Sequence, residues 1–403
     1  MKKLVLVALA ILLFGMPVVA AEDTGETFCV VGETGRIAVK CRVSEEILSL
    51  SKGDAGATLY EIIELGFSVE QAVTYALGDR AGLALSRLIS AEERIEQDAT
   101  MQFRHDEPSN PFYYGAHTVG KRVNRVKLLA DLAAYLNGDR RTITLEILKI
   151  QPRVTVQDLR ERTALMAEFS TDYSRSGEGR RHNVELAAGL INGTVLLPGQ
   201  TFSFNGVVGP RTAERGFAEA NVILGGRYTP GIGGGVCQVS TTLYNAALRS
   251  GLMIVEARSH SLAPSYVPLS FDAMVSQASD MRFLNDADHP VYLIMTADGK
   301  TLTARLYGLL DRNYRTEYYG KTIAVIQPDP PEEVEDSTLP LGATVAERAI
   351  NGYESEAYEV RIYADGRRET RKIRQDKYSA KRALVRRGTA AQKKGAEITD
   401  ERQ

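Results

Sequence analysis

The 403-residue chain has only three cysteines, an odd number. Cys29 and Cys41 are close enough in sequence to pair in an oxidising exterior, which leaves Cys237 unaccompanied. No cysteine or histidine pair stands at metal-ligand spacing, so neither a metal nor any other cofactor is expected. Charge of one sign is also missing: 49 Lys and Arg face 51 Asp and Glu, a net of −2. That balance argues against a dedicated nucleic-acid binder. Beyond the first twenty residues no apolar run approaches the roughly 20 residues that a membrane span requires.

The one long apolar run sits at the start, in MKKLVLVALAILLFGMPVVAAEDTG. A short cationic beginning, an apolar stretch from Leu4 to Phe14 and a small-residue exit near Ala20 make residues 1–21 a secretory signal peptide. No cysteine follows closely enough for lipid attachment. The expected mature protein is exported and soluble, with no membrane span after cleavage.

A chain of this length is expected to form two or three domains. The composition predicts a multidomain α+β protein. Residues 42–165 read as a helix-rich α+β domain. Ser68 caps a helix with Gln71 three residues on and Gly78 as its stop, and a second helix spans Asn124 to Leu136. TITLEILKI alternates as a half-buried strand, and Thr155 opens a further helix with Asp158 in its first turn. Residues 166–310 are mostly β, with a hairpin about Asp298-Gly299 and a single good helix from about Gln238 to Arg249, ended by Gly251. QPDPPEEVEDS marks a linker, taken as 311–334. Residues 335–389 form a small all-β domain around an Asp365-Gly366 turn, before a charged, disordered tail at 390–403. The basic run 367–392 fits an acidic polymer such as a bacterial wall, or simply a solvated strand face.

The chemistry concentrates in PGIGGGVCQVSTT, residues 230–242. Glycines here allow positive φ and a substrate lying against bare backbone. If the helix begins at Cys237, the N–H groups and dipole of its first turn favour a thiolate and can bind an oxyanion, an arrangement suited to acyl transfer. His260 is the candidate base and Asp272 the carboxylate that would orient it. The other reading of Cys237 is a small buried hydrophobe. His105, His117, His182 and His289 have no comparable setting.

FSFNGVVGPRT, PGIGGGVCQVSTTLYNAAL and HSLAPSYVP closely resemble the VanW domain, known from glycopeptide-resistance clusters and exported proteins of Gram-positive bacteria. The preceding segment is similar to a peptidoglycan-binding domain that often accompanies VanW. Residues 335–389 are similar to the G-five surface domain. Some VanW members are described as L,D-transpeptidases acting through the motif cysteine. Carried onto this chain, the resemblance implies Cys237 as nucleophile, His260 as base, and peptidoglycan stem peptides and glycan as partners at the cell wall. Arg211, Gly233, Gly234, Gly235, Gln238, Ser240 and Thr241 are the expected substrate-binding residues, with Arg211 either pairing with a stem carboxylate or holding a loop. Two alternatives stay open: a carboxypeptidase that gives the thioester to water, and a wall-binding protein without catalysis. The flanking domains are expected to be accessory to the chemistry.

Overall fold

The computed structural model describes residues 27–40, 63–64, 66–139, 141–224, 227–309 and 312–390. The expected signal peptide, Cys41 and the charged tail beyond residue 390 lie outside them, and with Cys41 the expected disulfide. Among the described residues helices and strands are mixed and strands predominate. The chain divides into two compact units, Met1–Thr100 with Gly115–Val156 and Met101–Tyr114 with Gln157–Gln403.

In the first unit, helices Val69–Leu77, Asp79–Glu92 and Arg125–Leu136 share a core with a three-stranded sheet ordered Arg36–Lys40, Thr27–Val31, Ile143–Thr144. The capping box forms as its residues require: Gln71 N donates to Ser68 Oγ at 3.2 Å and Ser68 N to Gln71 Oε1 at 2.7 Å. Asn124 caps the third helix by accepting from Lys127 N at 3.1 Å. TITLEILKI departs from the single expected strand. Ile143–Thr144 runs parallel to Thr27–Val31, whereas Ile147–Ile150 pairs antiparallel with Gly120–Val123 in another sheet. Side-chain alternation survives such a break, because period two says nothing about which neighbour a strand takes. Cys29 is buried and its sulfur accepts from Arg36 Nε at 3.1 Å.

The second unit is built around one buried helix, Val236–Ser250, twelve of whose fifteen residues are buried. A helix covered on all sides must satisfy its polar side chains internally. Thr242 Oγ1 donates to Gln238 O at 2.7 Å, Asn245 Nδ2 to Thr241 O at 2.8 Å and Phe271 O at 2.7 Å, and Ser250 Oγ to Ala246 O at 2.9 Å. Around it stand a second helix, Glu178–Ile191, and a four-stranded antiparallel sheet ordered Ala164–Asp172, Thr301–Gly308, Val291–Ala297, Val195–Leu196. A single helix was expected in 166–310, because the apolar stripe of this second one, Val184, Ala187, Ala188 and Ile191, is short and rich in alanine. The hairpin closes at Asp298-Gly299 as its sequence predicts, with Gly299 at φ 84°.

The stretch 311–334, expected as a linker, carries the strand Tyr314–Ile326, paired along its length with Gly352–Tyr363. QPDPPEEVEDS likewise runs into a strand, Glu332–Pro340, parallel to Leu384–Ala390. Its prolines precede the paired residues, where no ladder N–H is lost. This C-terminal module has two three-stranded sheets, ordered Tyr314–Ile326, Gly352–Tyr363, Arg368–Tyr378 and Glu332–Pro340, Leu384–Ala390, Thr344–Glu347. It packs onto the segment 267–271 through a cluster that joins Val267 and Phe271 to Ala357 and Tyr318.

The glycine turn before the buried helix is held by packing. Gly233 and Gly235 have φ of 88° and 107°. A Cβ at Gly234 would stand 2.5 Å from Asn221 O, and one at Gly235 2.8 Å from Arg180 Cγ. Gly235→Ala is therefore expected to lower the unfolding free energy by about 2–3 kcal/mol, roughly half from the left-handed backbone and half from displacing Arg180. Gly189→Ala, at an open helical position, should instead raise it by about 0.5–1 kcal/mol. Urea unfolding of the two variants checks both.

Candidate functional site

Gly235 is the N-cap of the buried helix and Cys237 its second residue, half-buried on the wall of a cleft of about 1290 Å³. The turn is fixed from behind by Asn183, a fully buried amide that donates to Ala218 O and Gly234 O and accepts from Ala218 N. Two N–H groups of this turn fold back into it: Val236 N donates to Gly233 O at 3.3 Å and Gln238 N to Gly235 O at 2.9 Å. The expected set of oxyanion donors is thus partly spent on the turn itself.

His260 and Asp272 come from one loop and both are buried. His260 uses its main-chain N and its Nδ1 on the same oxygen, Asp272 Oδ2, at 2.7 and 2.6 Å. That bond fixes the ring and leaves Nε2 for Cys237, against which His260 lies. The Cys237 sulfur also points to Val275 O at 3.4 Å.

The electrostatics follow from this contact. Burial alone would push the Cys237 thiol up, but the hydrogen bond and charge of His260 and the charge of Arg211 hold it below the ordinary thiol range. Burial alone would strip His260 of its proton, but Asp272 and Cys237 raise its pKa from 6.5 to about 9. Asp272 is pushed up by burial and down by more from His260 and Tyr378, ending below the usual carboxylate range. Both shifts run in the direction that favours a thiolate–imidazolium pair, with a carboxylate orienting the imidazole.

The cysteine, histidine and aspartate selected from the sequence are thus brought together. Arg211 lines the cleft near the sulfur, its Nη1 donating to Asn205 Oδ1 at 2.8 Å and Gly209 O at 3.1 Å. Gly233, Gly234 and Gly235 also line it, yet the side each leaves bare faces protein. Gln238 spends its amide inward, donating to Thr171 Oγ1 and Asp172 O and accepting from Arg180 Nη2 at 2.6 Å. Ser240 and Thr241 are corrected outright: both are fully buried and do not border the cleft. Ser240 Oγ donates to Ala273 O at 2.5 Å, and Thr241 Oγ1 accepts from Ala273 N at 3.0 Å. They tie the loop carrying Asp272 to the helix carrying Cys237.

Four contributors escape the sequence reading. Arg180 lies in the helix Glu178–Ile191 and borders the cleft. Tyr266, inside HSLAPSYVP, lines it too; burial and the nearby Cys237 push its phenol up, so it stays protonated. Tyr378 Oη donates to Asp272 Oδ1 at 2.6 Å, and Arg374 Nη1 to Asp272 O at 2.6 Å. Only Tyr266 had a nearby signal, its place between His260 and Asp272.

Residues 179–307 match the protein family described as VanW like protein. The chain is 36% identical over 192 residues to the uncharacterized protein YoaR of Bacillus subtilis, a match covering 47% of this chain and 63% of that protein. It is 28% identical over 136 residues to the vancomycin B-type resistance protein VanW of Enterococcus faecalis, covering 32% of this chain and 50% of that one. The matches span less than two thirds of either relative. Both similarities support a VanW family domain at residues 179–307.

Cys237 is expected to alkylate with a midpoint below the free thiol value of about 8.5, and His260→Ala to move that midpoint upward. The raised His260 pKa stabilises the fold fully below about pH 6.5 and that contribution is lost as pH rises through about 9. The lowered Asp272 pKa contributes above the ordinary 3.8 and is lost on further acidification. Iodoacetamide rates and the imidazole proton resonance, followed across pH, check the pair.

Proposed function

We propose that the chain is an exported cell-wall acyltransferase of the L,D-transpeptidase type, with Cys237 as nucleophile. The observation that carries this reading is the buried carboxylate–imidazole–thiol arrangement at a helix N-terminus on the wall of an open cleft. The Cys237 thiolate attacks the carbonyl carbon of the L-centre in a tetrapeptide stem. The bond to the terminal D-alanine nitrogen breaks, and that amine takes the proton of the His260 imidazolium. The amine of a second stem then attacks the thioester, gives its proton to His260 and releases the sulfur as thiolate, leaving a 3-3 cross-link.

The charge of the cleft supports such a donor. Arg175, Arg180 and Arg211 border it, against Asp172 as the acidic lining residue, and stem peptides end in and carry carboxylates. Arg211, near the sulfur, would meet the D-alanine carboxylate. The family match and the resistance protein among the similar proteins support a cell-envelope role. Wall association by the first unit and glycan contact by the C-terminal module belong to the same proposal.

Purified protein incubated with disaccharide tetrapeptide should yield a stem-to-stem dimer. A shortened stem would make it a carboxypeptidase, and unchanged muropeptide a binding protein. Cys237→Ala should abolish product while keeping the melting temperature within a few degrees. Arg211→Gln should raise KM for the donor about tenfold, the loss of one charged hydrogen bond. Mass spectrometry of the muropeptides reads all of these.

A further inference from the structure

The C-terminal β module holds contacts to the site that packing alone does not demand. Asp272 has no solvent exposure, and two of its polar partners are Tyr378 and Arg374, in the strand Arg368–Tyr378. Tyr378 is itself fully buried; its hydroxyl donates to Asp272 Oδ1 at 2.6 Å and accepts from Ser270 N at 2.8 Å. Arg374 reaches the main-chain oxygen of Asp272 with Nη1, and its Nη2 lies 4.0 Å from Oδ1.

The backbone leading to Asp272 is held by the same module. Ser270 has φ 65°, the sole non-glycine residue of positive φ among the described residues. A serine in that region is strained and persists where its surroundings impose it. Here the N–H of Ser270 goes to Tyr378, and its Oγ lies 2.7 Å from Ser355 Oγ. Ser379 N donates to Ser261 O at 2.7 Å, beside His260. Gly320 brings bare backbone against Leu269, where a Cβ would stand 2.9 Å from its carbonyl oxygen.

We infer that the C-terminal module is a constituent of the catalytic site, with Tyr378 and Arg374 as positioning residues that aim Asp272, and through it His260, at Cys237. The family match ends at residue 307, so these residues lie outside the domain that carries the nucleophile. This assignment rests on the reading of Cys237 as nucleophile, but its first measurement needs no substrate.

In the full-length protein, Tyr378→Phe keeps the ring in its pocket and removes only the hydroxyl. The pH midpoint of Cys237 alkylation should rise toward the free thiol value of about 8.5. Product formation should fall about ten- to a hundredfold with KM little changed, since misplacement and not binding is affected. Tyr318→Phe keeps its ring and removes only another hydrogen bond of the module, from its hydroxyl to Leu248 O at 2.9 Å, and should leave both readouts at wild-type values. Arg374→Lys serves if Tyr378→Phe loses its near-ultraviolet circular dichroism, and should shift the midpoint in the same direction. A wild-type alkylation profile in the folded Tyr378 variant, or an equal shift in Tyr318→Phe, would overturn the inference. If the wild type makes no product while the alkylation shift appears, the transferase reading fails and this one stands.

Discussion

A carboxylate with no exposure to water is the constraint on which the rest of this site depends. Removing such a charge from solvent costs several kcal/mol even after relaxation, and the cost is met only when its oxygens are saturated with donors. Asp272 is met by the main chain and ring of His260 on one oxygen and by Tyr378 on the other. These donors come from positions 12 and 106 residues away along the chain. Solvating one buried aspartate therefore requires the helical core, the loop and the C-terminal sheets to meet at one point.

The same requirement organises the neighbouring groups. A negative Asp272 favours a protonated His260 despite burial, and a protonated His260 lowers the Cys237 pKa against the effect of burial. Each charge is tolerated because the next one is present, so the three behave as a unit. The polar face of the cysteine helix serves the same end. Ser240 and Thr241 clamp Ala273, the residue after Asp272, and Asn245 clamps Phe271, the residue before it. What looks like a run of substrate-binding hydroxyls is the fastening between the helix of Cys237 and the loop of Asp272.

The glycines of the turn have a related explanation. Their freedom lets the backbone reverse into a helix, and their lack of a Cβ lets it pass within contact of Asn221, Arg211 and Arg180. The first requirement can be read from a glycine run; the second depends on what arrives from the other side. Arg180 both fills the space beside Gly235 and braces Gln238, so the turn and the helix beside it share one support.

Local structure was legible wherever the signal was local. The capping residues Ser68 and Asn124, the Asp298-Gly299 hairpin and the helix ending at Gly251 each follow from side chains within a few residues of one another. The meeting of Cys237 with His260 and Asp272 was legible too, because a thiol after a glycine turn and a nearby histidine–aspartate pair stand out by their types. Partnership across long separations was not legible. The 311–334 stretch reads as a linker by its prolines and acids, yet its strands are defined by pairing with residues 26 to 52 positions away. Tyr378 and Arg374 look like ordinary strand residues in a basic run, and only packing brings them to Asp272. By itself the sequence determined which residues could do the chemistry. Only the tertiary structure decided what holds them, because the energy that holds a buried charge comes from whichever donors the fold delivers to it, and sequence distance does not record that delivery.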